Sequence, residues 1–182
     1  MTCIVGLRND KGVILAGDSA GVEGFNVTIR KDSKVFKVNN ILIGYTSSFR
    51  MGQIIRYHLD ITYSGDEDEY DWMVTVFIPH IRKILQEHGF TKINNNEESG
   101  GVFLVGINNR LFIVESDFQV GESNLVYESV GCGEKYAKGY IYAALGNINN
   151  TRTEEQIVEG ALYCATNFSA GVRPPFNFIK NY

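Results

Sequence analysis

The order of apolar patterns along the chain is the feature that most limits its fold. Short apolar strands are predicted over 2–8, 13–18, 35–38 and 41–46, and helical spacing follows over 49–59 and 70–87. Strands return at 101–107, 110–115 and 125–130, before helices over 134–145 and 154–168 and a last strand at 176–180. Single strands do not alternate with single helices, which argues against a doubly wound parallel sheet. We therefore expect an α+β fold, a four-layer αββα sandwich of two stacked antiparallel sheets flanked by helix pairs.

Composition limits the function classes and the compartment. The 182 residues suit one domain with a sizeable core, so we expect a single domain over 1–182. A net charge of −4 argues against a nucleic-acid partner, and no apolar run reaches the roughly 18 residues of a membrane span. The cysteines Cys3, Cys132 and Cys164 lack disulfide or metal spacing. We expect a cytoplasmic protein without a signal peptide, metal or cofactor.

Residues 17–21, Gly-Asp-Ser-Ala-Gly, are similar to the segment around the nucleophile of chymotrypsin-like serine proteases. That chemistry needs a histidine base and an aspartate, and in the chymotrypsin order both precede the serine. All three histidines follow Ser19, at His58, His80 and His88, within or beside helical stretches. The serine-protease interpretation therefore fails.

Thr2 is a second candidate nucleophile. An N-terminal threonine carries a hydroxyl and an α-amine whose pKa is about 8, so one residue supplies both nucleophile and base. Met1 must first be removed, and methionine before threonine is normally trimmed. Asp18 ends the second predicted strand and Lys34 begins the third, so a carboxylate and a cation could both reach Thr2. A threonine at position 2 is a weak signal when taken alone.

The segments 2–6, 16–19 and 33–36 together resemble the proteasome β subunits and the peptidase subunit of the bacterial ATP-dependent two-component protease. In that family a threonine, an aspartate and a lysine follow one another sixteen residues apart, and Thr2, Asp18 and Lys34 have that spacing. The similarity continues through 42–48, and a second block covers 129–137. It implies the αββα fold of N-terminal nucleophile hydrolases, in agreement with the order of elements.

The resemblance also implies roles. Thr2 Oγ would be the nucleophile and its amine the general base, while Lys34 would lower the pKa of the hydroxyl and Asp18 would orient Lys34. The backbone N–H of Ser48, or of Ser47 if the register slips by one, falls at the family's oxyanion donor. The family further implies a polypeptide substrate, a homo-oligomeric ring that encloses the active sites, and room for an ATPase or unfoldase partner.

Three residues depart from the family pattern around the amine. Cys132 stands where the family has a serine, Asn167 falls where it has an acidic residue, and Ser169 is one place out of register with a supporting serine. Three functions therefore remain open. The chain is a threonine-type peptidase subunit after loss of Met1, a small-amide amidase on the same fold, or a catalytically decayed proteasome-like assembly or scaffold subunit.

Overall fold

The computed structural model describes residues 1–95 and 97–182. The strands, numbered in chain order, are β1 (Cys3–Asn9), β2 (Gly12–Gly17), β3 (Ala20–Glu23), β4 (Asn26–Ile29), β5 (Val35–Val38), β6 (Ile41–Tyr45), β7 (Lys92–Asn94), β8 (Glu97–Ser99), β9 (Phe103–Ile107), β10 (Arg110–Val114), β11 (Val120–Glu122), β12 (Tyr127–Gly131) and β13 (Asn177–Lys180).

The structure has five α-helices in the part of the chain that it describes. They are α1 (Phe49–His58), α2 (Glu69–Trp72), α3 (Ile78–Glu87), α4 (Glu134–Leu145) and α5 (Glu154–Phe168). A π-helical segment, Met73–Phe77, joins α2 to α3 without interruption. In the part of the chain that the structure describes, no helix is long and apolar enough to cross a membrane.

Two antiparallel sheets form the centre of the molecule. One has the strand order β12-β1-β2-β13 and the other the order β11-β10-β9-β6-β5, and the hairpins β3–β4 and β7–β8 lie outside both. Helices α4 and α5 pack on the first sheet, whereas α1 and α3 pack beside the second. The predicted α+β four-layer sandwich is therefore confirmed.

Apolar side chains fill each gap between layers. In β1, Cys3, Val5 and Leu7 face α4 and α5, while the intervening Ile4 lies in the cluster between the two sheets. Because both faces of the strand are covered, it has a continuous apolar run rather than an alternating pattern. Pairing with β2 on one edge and β12 on the other fixes the register of β1 and therefore the position of Thr2, the residue before it.

The structure matches the predicted bounds of α4 and α5, but the segment predicted as one helix over 70–87 contains the π-helical segment. Pro79 explains it, because proline lacks an N–H and its ring clashes with the carbonyl four residues earlier. A π-helical turn accommodates both defects without ending the helix.

Three strand regions were not predicted from the sequence. They are the hairpins β3–β4 and β7–β8 and the short strand β11. Every residue of β4 and β7 is exposed, and the strands have only four and three residues, so each is too short for its pattern to identify a strand.

Candidate active site

The ends of three strands bring Thr2, Asp18 and Lys34 to one place. Ile4 of β1 pairs with Gly17 of β2, so the residue before β1 and the residue after β2 lie at the same end of the hairpin. Lys34 immediately precedes β5 in the other sheet. All three side chains are buried, with Asp18 and Lys34 at most 1% exposed.

Asp18 is held by hydrogen bonds on both of its carboxylate oxygens. Oδ1 accepts from the backbone N–H of Cys3 at 2.9 Å and from Lys34 Nζ at 2.8 Å. Oδ2 accepts from the backbone N–H groups of Ala20 at 2.8 Å and Arg173 at 3.3 Å. These donors compensate for the loss of water around a buried charge, so the carboxylate stays in one orientation.

Lys34 forms a buried ion pair with Asp18 and donates a second hydrogen bond, 2.7 Å long, to the carbonyl of Ala20. An ammonium group has three donors, so a third proton remains for a neighbouring oxygen. Burial lowers the pKa of Lys34, and the negative charge of Asp18 and its hydrogen bond oppose that effect. The group is a positive charge in a site with little water, where its field on a neighbour is strong.

Met1 is bonded to the Thr2 nitrogen and accepts a hydrogen bond from the Thr2 hydroxyl. The Thr2 hydroxyl donates to the Met1 carbonyl at 2.6 Å, and the Thr2 nitrogen, an amide while Met1 is attached, donates to Cys132 Sγ at 3.2 Å. Met1 lies against Gly171, where an added Cβ would overlap its side chain. In this form Thr2 has a hydroxyl but no base of its own.

Cys132 and Ser169 lie beside the Thr2 nitrogen. Ser169 Oγ donates to Cys132 Sγ at 3.1 Å, and the thiol in turn donates to the Thr2 carbonyl at 3.3 Å. Gly131 permits this approach, because it has a φ of +100° and a side chain there would overlap the Thr2 carbonyl. Ser169, thiol and Thr2 nitrogen therefore form a continuous chain of polar contacts.

Asn167 is not brought to this group. Its side chain is exposed and donates to the carbonyl of Tyr163, four residues earlier in α5. Asn167 therefore does not lie where it could replace an acidic residue beside the Thr2 amine. Its amide turns back along the last turn of the helix.

The Ser47 and Ser48 region is arranged differently from its expected role. The backbone N–H of Ser48 donates to the carbonyl of Thr46 at 2.8 Å, and Ser47 between them has a φ of +72°. This is a γ-turn of the rare, strained form. Ser47 Oγ accepts from the N–H of Val102, and Ser48 Oγ caps α1 by accepting from Met51 N. The N–H expected to stabilise an oxyanion is thus already engaged.

The structure also shows contacts that the sequence did not suggest. Arg173 donates its backbone N–H to Asp18, and its guanidinium donates to the carbonyl of Ser169 at 3.0 Å, which ties the end of α5 to the site. Ser19, the rejected serine nucleophile, donates to the carbonyl of Pro175 at 2.6 Å and accepts from Asn177. No periodic pattern marks such loop contacts, so only the folded chain reveals them.

In the part of the chain that the structure describes, no group of three His, Cys, Asp or Glu side chains could hold a metal ion. The polar groups around Thr2 are instead a hydroxyl, a thiol, an ammonium and a carboxylate.

Solved structures with the same arrangement of layers were found by comparison. Thiobacillus denitrificans BPH, in complex with epoxomicin, is similar over 98% of this chain and 97% of its own, with 19% identity and a TM-score of 0.79. The chain has the proteasome-like fold of N-terminal nucleophile hydrolases. Eukaryotic HslV from Trypanosoma brucei matches over 98% of both chains, with 15% identity and a TM-score of 0.68.

A third neighbour extends the same group. Anbu, the ancestral beta-subunit, from Yersinia bercovieri is 14% identical over 98% of this chain and 80% of its own, with a TM-score of 0.66. No protein-family model matches the sequence, and no curated protein matches it either. The proteasome-like fold is the same one that the spacing of Thr2, Asp18 and Lys34 suggested, so that resemblance is confirmed at the level of the fold.

Proposed function

We propose that this chain, after removal of Met1, is a threonine-type peptidase subunit that hydrolyses peptide bonds inside a ring of identical subunits. The observation that carries the proposal is the buried ion pair of Lys34 with Asp18 beside an N-terminal threonine. Burying a charged pair is costly, and replacing it with apolar residues often leaves a protein as stable or more so. A functional need for the positive charge beside Thr2 accounts for the pair.

The reaction follows from the groups present. The free Thr2 amine takes the proton of its hydroxyl, and Oγ attacks the carbonyl carbon of the substrate to give a tetrahedral oxyanion. The protonated amine passes this proton to the leaving amine as the C–N bond breaks, which leaves an ester on Oγ. Water, deprotonated by the same amine, then attacks the ester carbonyl; the bond from that carbon to Oγ breaks, the acid is released, and the proton on the amine returns to Oγ. Lys34 stabilises the negative charge that develops on Oγ.

Cys132 and Ser169 position the amine in this scheme. Their contacts already reach the Thr2 nitrogen and carbonyl, so they fix the direction of its lone pair after Met1 is lost. The oxyanion donor is the N–H of Ser48, which requires the turn at Ser47 to open and release it from the Thr46 carbonyl. Substrate binding supplies the competing acceptor for that N–H.

A surface on α4 and α5 supports the proposed assembly. Large apolar or aromatic side chains are exposed there, namely Tyr136, Tyr142, Leu145, Tyr163 and Phe168. Tyr136 and Phe168 stack with their ring centroids 5.1 Å apart, which joins the two helices into one apolar surface. Surfaces of this kind commonly mark contacts between proteins. We take residues 1–182 as one domain of a cytoplasmic homo-oligomer, to which an ATPase could deliver unfolded chains.

The test is covalent labelling by epoxomicin, the compound bound to the structural neighbour BPH. The protein is made as a fusion whose cleavage leaves Thr2 as the first residue, called Met-free protein below. We expect one epoxomicin adduct, mapped by peptide mass spectrometry to Thr2, because such a warhead reacts with both the hydroxyl and a free amine. Thr2→Ala protein made in the same way is the control and should stay unlabelled. Failure of correctly trimmed protein to react would contradict the proposal.

A second candidate is a catalytically decayed scaffold subunit. Two observations favour it, namely the engaged N–H of Ser48 and the Met1 carbonyl bound by the Thr2 hydroxyl. Intact mass of the protein isolated from its native host separates the two functions. A mass that lacks Met1 supports the peptidase, whereas complete retention of Met1 supports the scaffold.

A further inference from the structure

A small cavity adjoins Thr2 on the side of Ser48. It measures about 80 Å³, and its walls include the side chains of Val22, Tyr45 and Phe49. The rest of its lining is Met1 and the hydroxyl-bearing residues Thr2, Thr46, Ser47 and Ser48. We call this space the Thr2 cavity. It lies between the expected nucleophile and the expected oxyanion donor, so the residue that carries the attacked carbonyl would place its side chain there.

A larger cavity begins on the other side of the Phe49 ring. It lies along the hairpin β3–β4, measures about 420 Å³, and is lined by Gly21, Glu23 and Arg30 among others. We call it the hairpin cavity. Phe49 and Val22 are the lining residues that both cavities share. Phe49, the first residue of α1, therefore separates a small space beside Thr2 from a larger one.

The position of the Phe49 ring is fixed from two sides. The Arg30 guanidinium lies over the ring with its carbon 3.8 Å from the centroid, and Asp32 holds that guanidinium through two hydrogen bonds of 2.8 Å. Tyr45 contacts the ring edge-on with centroids 6.1 Å apart. A stacked cation and an aromatic edge are both favourable partners for a phenyl ring. The ring is thus a fixed partition.

We propose that Phe49 is a specificity-determining residue that restricts the side chain next to the cleaved bond to a small uncharged one, such as alanine. The inference rests on the proposed peptidase function and names its substrate class. Met1 is itself a wall of the Thr2 cavity, so its removal enlarges the cavity toward Gly171 and leaves the partition formed by Phe49 and Arg30 in place. Truncation of Phe49 joins the two cavities and admits leucine or phenylalanine.

The test compares two peptide epoxyketones that differ only in the residue next to the reactive group, alanine in one and leucine in the other. Labelling rates of Thr2 in Met-free protein give a ratio for the two probes. We expect the unmodified protein to prefer the alanine probe by at least tenfold, since small differences of side-chain size in a closed apolar pocket are worth about 10- to 200-fold. Phe49→Ala should lower this ratio by tenfold or more.

Two variants control for changes that do not concern the partition. Phe25→Ala also replaces a phenylalanine by alanine, but at the fully exposed tip of the hairpin β3–β4. It should leave the ratio of labelling rates unchanged. Phe49→Leu keeps most of the side-chain volume and should retain the alanine preference. If Phe49→Ala is poorly folded, Arg30→Gln, which removes the stacked cation but no wall atom of the Thr2 cavity, should lower the ratio by a smaller factor.

The outcomes separate this inference from the proposed function. An unchanged ratio in a folded Phe49→Ala protein that still labels at Thr2 overturns the role of Phe49 and leaves the peptidase intact. A leucine preference in the unmodified protein overturns it as well. Absence of labelling by both probes in Met-free protein contradicts the peptidase itself, and the inference falls with it.

Discussion

The two halves of the candidate site differ in how fully they are prepared. On one side, the Asp18 carboxylate and the Lys34 ammonium are buried, paired at 2.8 Å and fixed by backbone donors. On the other, the N–H of Ser48 is engaged by the Thr46 carbonyl in a turn where Ser47 has a φ of +72°. The charged half lies at strand ends between two packed layers, whereas the oxyanion half lies in a turn before α1. The charge that we propose to activate Thr2 is thus preorganised, whereas the N–H that we propose as oxyanion donor is still held in a hydrogen bond.

Loss of Lys34 should have the largest effect. We expect Lys34→Met to abolish labelling and to lower the free energy of unfolding by about 3–5 kcal/mol, since it leaves a buried carboxylate without its partner. Chemical denaturation and epoxomicin labelling measure the two effects. The double variant Lys34→Met/Asp18→Asn should recover much of the stability and none of the labelling. Epoxomicin labelling of either variant would show that the pair of Lys34 and Asp18 contributes only to stability.

Substitution of Cys132 tests the contact that we propose to position the Thr2 amine. Among the three cysteines, Cys3 is buried and burial raises its pKa to about 12, so its thiol should resist alkylation. We expect iodoacetamide to block labelling of Thr2 in the unmodified protein, and Cys132→Ser to resist this block with activity within about tenfold of the original. Cys164→Ser, a matched change away from the site in α5, should remain sensitive. Equal sensitivity in Cys132→Ser would exclude contact between the thiol and the working amine.

Ser47→Gly tests the turn that holds the N–H of Ser48. A non-glycine residue at positive φ costs about 1–3 kcal/mol, and glycine removes this strain from the closed turn. We therefore expect Ser47→Gly to stabilise the closed turn, to raise the free energy of unfolding slightly and to slow labelling several-fold. Ser47→Ala removes the hydroxyl that accepts from Val102 but keeps the backbone strain, so it should not slow labelling. Equal rates for the two variants would show that the turn does not limit the reaction.

The pH dependence of the labelling rate should report on both the Thr2 amine and the Lys34 charge, with a smaller effect than the substitutions above. The Thr2 amine must be neutral to act as base, so the rate should rise as the pH passes about 8. Lys34 must be charged, and an exposed lysine has a pKa of about 10.4. Because burial lowers the pKa of Lys34, the rate should fall again at a pH below that value. A rate that stays level well beyond pH 10.4 would be inconsistent with a role for the Lys34 charge.

The sequence predicts the prepared half well for a physical reason. Thr2, Asp18 and Lys34 flank strands whose apolar residues are buried, so the apolar runs reveal the strands and place the three residues at strand ends. That the three residues act together is implied by their spacing and the family resemblance, and not by the local pattern. The helices α4 and α5 were predicted for the same reason, since each has a clear apolar stripe and α5 begins with a capping box at Thr153.

The rest depends on contacts between distant loops. The turn at Ser47, the stacking of Arg30 on Phe49 and the hydrogen bond from Arg173 to Asp18 join residues whose positions are set only after the layers pack. Asn167 shows the limit of a position carried over from a family, because its side chain finds a closer acceptor in its own helix. Neither periodicity nor spacing carries this information.

Hydrolysis of an unfolded polypeptide by two forms of the same protein tests the central claim most directly. Met-free protein and protein that retains Met1 are incubated with a fluorescently labelled, denatured chain, and the release of small fragments is followed with time. We expect the Met-free form to cleave and the Met1 form to be inactive, because only the first has a free Thr2 amine. Equal cleavage by the two forms, or none by Met-free protein assembled into its oligomer, would contradict an N-terminal threonine peptidase.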